Sequence, residues 1–340
     1  MFGDPGMLEK DMEGLIPLCN FQMTTEDLQI SDDLRIRRLT KEEKDVIAER
    51  VDPIVANRCG FGIQSRWKQR IESMNRLDID VQKVLSSASV VPALRLFDAG
   101  DVTYPIILLR MLGEDPNPLR FHGWASMMAE VSQHFGKPLI LTGERADAFK
   151  IFLEAVSGNL ISTDQLRKGN IRLDIAFNRF NASYWQKAIE DRFIDIMIGF
   201  EALLGDQSIE ATNRLINRLC LFLGKDDEER INLQWFLRKS YDTRSAILHG
   251  RRIEEAEVMK EAHMTFKAMV FESQRLLAKA IKTCMFIGPM HRSNRKDLIE
   301  FLDTCMISSE MRDALFEQLK SVEHLVFTDA HSFVVHRERN

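Results

Sequence analysis

The sequence predicts a mainly α-helical protein, with an antiparallel helical bundle in the C-terminal half and a smaller mixed α/β region before it. Three observations carry this. From residue 173 onward, apolar residues recur at intervals of three and four, the spacing that puts them on one face of a helix. Gly205, Gly224, Gly250 and Pro289 divide that stretch into four helices with short connections, which pack antiparallel. Before residue 160, short apolar and β-branched runs are broken by prolines and glycines.

A chain of 340 residues has room for two domains of ordinary size. Hydrophobic content of 45% and charged content of 29% are those of a soluble globular protein. The net charge of −5 argues against a broad basic surface for duplex nucleic acid, yet leaves room for a small basic site. Five scattered cysteines with no C-x-x-C pair read as reduced core residues of a cytoplasmic protein. Residues 1–20 lack a basic segment followed by an apolar core, so no signal peptide is expected. No apolar run approaches the length of a membrane span, and no internal repeat is visible.

The elements are expected as follows. Residues 1–30 read as irregular, and 28–39 as one or two short strands. Thr40 and Glu43 form a capping box, which opens a helix over 41–51 that Pro53 ends. Trp67, Ile71, Met74 and Leu77 give 63–89 a helical reading, interrupted by Pro92. Residues 102–109 and 139–141 read as strands or buried segments, 121–128 as strand or helix, and 142–156 as a helix. A linker over 158–170 separates an N-terminal region, 1–160, from the bundle, 170–288. Bundle helices are expected over 173–180, 185–204, 209–223, 228–249 and 254–286. A C-terminal extension, 289–340, holds helices over 298–306 and 309–321 and a final strand over 324–336. His324, His331 and His336 match no zinc spacing and have no cysteine nearby, so neither a metal nor a cofactor is expected.

The chemistry concentrates at the end of the third bundle helix. Leu237, Tyr241 and Leu248 form its apolar stripe, and Arg244 sits inside that stripe. A guanidinium there needs an acidic partner or an anionic ligand. Glu201, four residues after Met197 on the first long bundle helix, also faces inward and is the candidate partner. Arginine has five N–H donors, so Glu201 can hold Arg244 while other donors meet a phosphate. Arg218 lies at the edge of the next helix's apolar face, with Glu201 or another acid as its partner. His249 is the last residue before Gly250, at a helix end that favours a cation. An Arg and a His together suit attack of a ribose 2′-hydroxyl on the adjacent phosphate, a reaction that needs no metal. A five-residue step turns a straight helix by about 140°, so a working pair needs a bent helix end or a second chain. Arg251 and Arg252 make the neighbouring segment basic and are candidates for holding RNA.

These residues carry a resemblance. Tyr241-Asp242-Thr243-Arg244-Ser245-Ala246-Ile247-Leu248-His249-Gly250 resembles the Arg-x4-His motif of the HEPN superfamily, in its Apea-like branch. The run from Phe193 to Leu204, ending in Glu201-Ala202-Leu203, looks like that branch's second signature, and Arg218 falls where the branch commonly carries an Arg. The resemblance covers about residues 173–285. It implies a HEPN-like bundle that dimerises through the motif face. Many such proteins are metal-independent endoribonucleases that leave cyclic-phosphate ends; others bind nucleotides or RNA without cutting, or serve as partner modules. By resemblance Arg244 would bind the scissile phosphate, His249 would act as acid or base, and Ser245 fills a position where active members often place Asn, Asp or His. Glu201, Arg218 and Tyr241 would support them. Two readings stay open. One is an RNA-cleaving enzyme with a defence or toxin-like role. The other is a non-catalytic binding or dimerisation module whose Arg244, Glu201 and Arg218 form a polar network in the core.

Overall fold

The computed structural model describes residues 8–71, 87–98, 100–112, 120–121, 137–160, 172–206, 210–287, 295–326 and 328. The chain divides into two compact units, Met1–Arg95 with Gly100–Glu154, and Leu96–Ala99 with Ala155–Asn340. The first carries a small antiparallel sheet, and the second is helical.

The sheet of the first unit has six strands: β1 (Leu8–Cys19), β3 (Asp27–Ser31), β4 (Leu34–Arg38), β5 (Cys59–Ile71), β6 (Leu108–Met111) and β7 (Arg120–Phe121). Their order is β3-β4-β5-β1-β6-β7, with every pairing antiparallel. A short β2 (Phe21–Met23) pairs in parallel with β8 (Leu139–Leu141). Two expectations fail here. Residues 8–19 are a long strand, not irregular chain: Met12, Ile16 and Leu18 are buried on one face and Glu13, Leu15 and Cys19 on the other, so no apolar-polar alternation marks it. Residues 59–71 are a strand, not the start of a helix. Ile63, Trp67 and Ile71 are four apart, a spacing that suits a helix face but, being even, also one face of a strand. The rest of that expected helix, from residue 72 to 86, lies outside the described residues, as does most of 121–128.

The capping box of α1 (Lys41–Ala48) forms as expected, with the Glu43 amide bonded to Thr40 Oγ1 at 3.2 Å and the Thr40 amide to Glu43 at 2.9 Å. Pro53 does not end this helix. It occupies the first turn of α2 (Pro53–Ala56), where a missing N–H costs nothing, and Asp52 caps it. Likewise Pro92 lies inside the first turn of α3 (Val90–Phe97). The helices α1 and α2 cover one end of the sheet, closing a core of Leu15, Leu39, Ile47, Val55 and Leu108. On the same face beyond them, Glu13 is buried and held by Arg66 at 2.9 Å, by Gln64 and by Arg110. Arg37 joins this layer to α1 through two bonds to Glu43, at 2.6 and 2.9 Å.

The helix α4 (Gly143–Leu160) starts in the first unit and ends in the second, which continues with α5 (Leu173–Ser183), α6 (Ile189–Leu204), α7 (Ala211–Leu223), α8 (Asp227–Leu248), α9 (Glu255–Ala262), α10 (Phe266–Ile287), α11 (Arg295–Ile307), α12 (Ser309–Ser321) and α13 (Glu323–Val326). The expected helix over 254–286 is two helices. His263 takes a left-handed backbone, φ 53°, and breaks it. Residues 323–326 are helical where a strand was expected, and residues 329–336, with His331 and His336, lie outside the described ones. Every residue of α10 from 273 to 285 is buried, and α5, α6, α7, α9, α12 and α13 all pack on it. α6 approaches it closely at Gly199, where a Cβ would stand 2.6 Å from Leu277 Cδ2. No helix among the described residues is long and apolar enough to cross a membrane.

Gly100 is tightly placed. A Cβ there would lie 2.4, 2.6 and 2.7 Å from the Cβ, Cα and N of Leu139, all fixed by the chain. Gly100→Ala is therefore expected to lower the unfolding free energy by at least about 2 kcal/mol, read by urea denaturation. A wild-type midpoint for this variant would contradict the packing.

All five cysteines are buried thiols. The sulfurs of Cys19 and Cys59 are 2.7 Å apart, and that hydrogen bond, with burial, pushes the Cys19 thiol up. Burial pushes the Cys220 thiol up to about 12. The thiolate is the reactive form, so an aromatic disulfide reagent at pH 8 is expected to titrate well under one equivalent in the folded protein and five after denaturation.

Candidate functional site

The site is built on α8. Asp226 caps its start, accepting the Glu229 amide at 2.8 Å, and Asp227, Glu228 and Glu229 complement the positive helix end. Leu233, Phe236, Leu237, Ser240 and Tyr241 bury one side of it against α6 and α7. The apolar stripe stops at Tyr241, because Leu248 is 56% exposed. The helix ends at the expected glycine. Gly250 has φ +73°, its amide bonds Ile247 O at 2.9 Å, and the Arg251 amide bonds Ala246 O at 2.9 Å. That pair of bonds is the Schellman arrangement, which needs a left-handed residue and here fixes where Arg251 leaves the helix.

Arg244 and Glu201 meet. Arg244 Nη2 donates to Glu201 at 3.2 Å. The pair is half-buried at the margin of the bundle, with side chains 24% and 39% exposed, not sealed inside it as the apolar stripe suggested. Among the described residues Arg244 Nε and the Tyr241 hydroxyl, both closed to solvent, have no hydrogen-bond partner. Burial, and then the charge of Glu201, pushes the Tyr241 phenol up, so this hydroxyl is a donor at any ordinary pH. The patch thus has a guanidinium held by a carboxylate at the bundle margin, beside a buried phenol.

Arg218 belongs to a different cluster. It is fully buried on α7 and pairs with acids other than Glu201. Its Nε and Nη2 grip the Asp303 carboxylate of α11, both at 2.7 Å, Nη2 also bonds Asp206 at 2.7 Å, and Nη1 bonds Leu204 O at 2.9 Å. Sequence reasoning missed Asp206 and Asp303. The available signal was Asp303 itself, an acid between Leu302 and Cys305 on an otherwise apolar helix face.

His249 and Ser245 are exposed, and His249 is the C-terminal cap of α8. The helix runs unbroken to Leu248, and the His249 amide continues its ladder to Ser245 O at 3.0 Å. The end does not bend, so within one chain His249 stands about 140° around α8 from Arg244. Arg251 and Arg252 line a groove of about 350 Å³ between α8, the 251–254 segment, α9 and α10, and neither Arg244 nor His249 lines it. No group of three or more His, Cys, Asp or Glu side chains that could hold a metal occurs among the described residues. No protein-family model, curated protein or solved structure matches the chain.

Arg218 and Arg244 should differ sharply in stability. Removing a buried guanidinium takes four hydrogen bonds from two carboxylates and a helix-end carbonyl, so Arg218→Ala is expected to cost about 3 kcal/mol or more. Arg244→Ala breaks a half-exposed pair and is expected to cost under about 1 kcal/mol. Parallel urea curves for the two variants check this; equal losses would refute the assignment of Arg218 as the structural arginine.

Proposed function

We propose that this chain is a HEPN-like protein that handles RNA or nucleotides, with a metal-independent endoribonuclease site completed by two chains. The supporting observation is the Arg244 patch, where Glu201 holds a partly exposed guanidinium through Nη2 at the margin of the bundle. An arginine fixed by a carboxylate and retaining donors suits a phosphate that gains charge as a bond forms to it. In this reading the ribose 2′-oxygen attacks the adjacent phosphorus and the bond to the 5′-oxygen breaks. His249 exchanges a proton with one of those oxygens, and the products are a 2′,3′-cyclic phosphate and a 5′-hydroxyl. Because α8 is straight to its end, the His249 that serves a given Arg244 comes from the partner chain, with the motif faces forming the homodimer contact.

The same geometry supports a second reading, a non-catalytic binding or dimerisation module in which Glu201 holds Arg244 for structure. Labelled single-stranded RNA with EDTA separates them. The enzyme reading expects cleavage to cyclic-phosphate ends that falls at least a hundredfold in His249→Ala and in Arg244→Ala. Mixing the two variants should then restore activity toward a quarter of wild type. Half the dimers would be mixed, and each of those would carry one intact site of two. No cleavage by the wild-type chain leaves the module reading, and cleavage without recovery on mixing removes the two-chain site.

A further inference from the structure

Two of the five cysteines stand together. Cys19 closes β1, Cys59 opens β5, and the two are partners across the β1–β5 ladder. A bulge puts them there. Leu18 pairs with Phe61 and Cys19 with Cys59, so Gly60 drops out of the ladder and Cys59 comes opposite Cys19. Both backbones are held from outside the pair. Cys19 exchanges amide and carbonyl bonds with Thr103, at 2.8 and 3.2 Å, and the Gly60 carbonyl accepts the Leu39 amide at 3.1 Å. The side chains meet in the core, where the sulfurs are 2.7 Å apart and share one acceptor, Val55 O, at 3.7 and 3.5 Å. The other three cysteines lie in the helical unit, and among the described residues none of them meets another cysteine's sulfur.

The geometry points to Cys19 and Cys59 as a site of oxidative modification, which a small organic disulfide converts to an internal cross-link. Partners across an antiparallel ladder hold their Cβ atoms about 5 Å apart and a disulfide asks for about 4 Å, so the bond forms with little movement of the chain. One sulfur, as thiolate, attacks a sulfur of the reagent. The reagent's S–S bond breaks, and its other half leaves and takes the proton. The neighbouring protein sulfur then attacks the protein sulfur of this mixed disulfide and expels the second half as a thiol. The two protein thiols lose two electrons and two protons, and the reagent gains both. Access is through α2. Its single turn lays Val55 over the sulfurs while Ile54 points out, 66% exposed, and one helical turn holds weakly by itself. Opening of residues 52–58 uncovers the pair. Until then the hydrogen bond to Cys59, with burial, keeps the Cys19 thiol protonated, so the cross-link forms at the pace of opening. Once formed, it closes a loop that holds β2, β3, β4, α1 and α2 and restricts the unfolded chain. The pair is a redox-sensitive staple of the sheet.

Prolonged incubation of the whole reduced chain with 2-hydroxyethyl disulfide at pH 8, followed by acid quench, denaturation, thiol counting and peptide mass spectrometry, tests this. The count should fall from five thiols to three, with the Cys19 peptide joined to the Cys59 peptide, and dithiothreitol should restore five. Cys19→Ala should stop at a mixed disulfide on Cys59. Asp52→Ala, which removes the cap that holds the Ile54 amide at 2.8 Å, should speed the cross-link at least threefold. The cross-linked wild-type chain should unfold at a higher urea concentration than the reduced one. Five thiols after a day of exposure, or Cys19 and Cys59 recovered as separate mixed disulfides, overturns the pair as a cross-linking site. A lower urea midpoint in the cross-linked chain overturns the fit of the bond to the native ladder, and a rate unmoved by Asp52→Ala overturns α2 as the cover.

Discussion

The buried guanidinium of Arg218 ties the helical unit together. It sits on α7, takes the last carbonyl of α6 at Leu204, and grips Asp206 just beyond α6 and Asp303 on α11. A charge removed from water is tolerated only when nearly all its donors are matched, and four bonds from one side chain meet that demand. The consequence reaches the candidate site. Glu201 lies one turn before Leu204, so the clamp that fixes the end of α6 also fixes the carboxylate that holds Arg244. A structural arginine thus sets the position of the carboxylate that pairs with the arginine of the candidate site.

Behind this clamp stands α10, the helix with no exposed side over thirteen consecutive residues. Six other helices pack on it, and the approach of α6 is close enough that Gly199 has no room for a side chain. Such a helix cannot shift without disturbing every neighbour, because packed interiors are dense and resist deformation. It therefore serves as the frame, and the candidate residues Arg244, Ser245 and His249 lie at the margins of the bundle. Met269, which lines the groove beside α8, is part of the same frame.

How much of this the sequence showed depended on period. The bundle helices were legible because apolar residues at three-and-four spacing have only one good solution over fifteen residues. The strand at 59–71 was not, since Ile63, Trp67 and Ile71 fit both periods, and the deciding evidence is the pairing with β1, about fifty residues away in the chain. The break at His263 carries no glycine or proline. Its local sign was Thr265, whose hydroxyl accepts the Ala268 amide at 3.1 Å at the start of α10. In the site, Glu201 and Arg244 could be paired from the sequence because each is a charge on an apolar stripe. The pairing of Arg218 with Asp303 was harder: the acid stands out on its helix, but it is 85 residues distant and only the fold brings it near.

The straight end of α8 then decides how the remaining charges can act. Had the helix unwound after Arg244, His249 could have swung beside it and one chain would hold the whole motif. The Schellman bonds at Gly250 and Arg251 prevent this by completing the helix to its last turn. They send Arg244 to the side that meets Glu201 and carry Arg251 and Arg252 to the groove, on another side of the same helix end. A motif that looks continuous in sequence is therefore divided in space. Its arginine serves one surface and the basic pair after it serves another. Any one surface that joined Arg244 to His249 would draw the two from different chains.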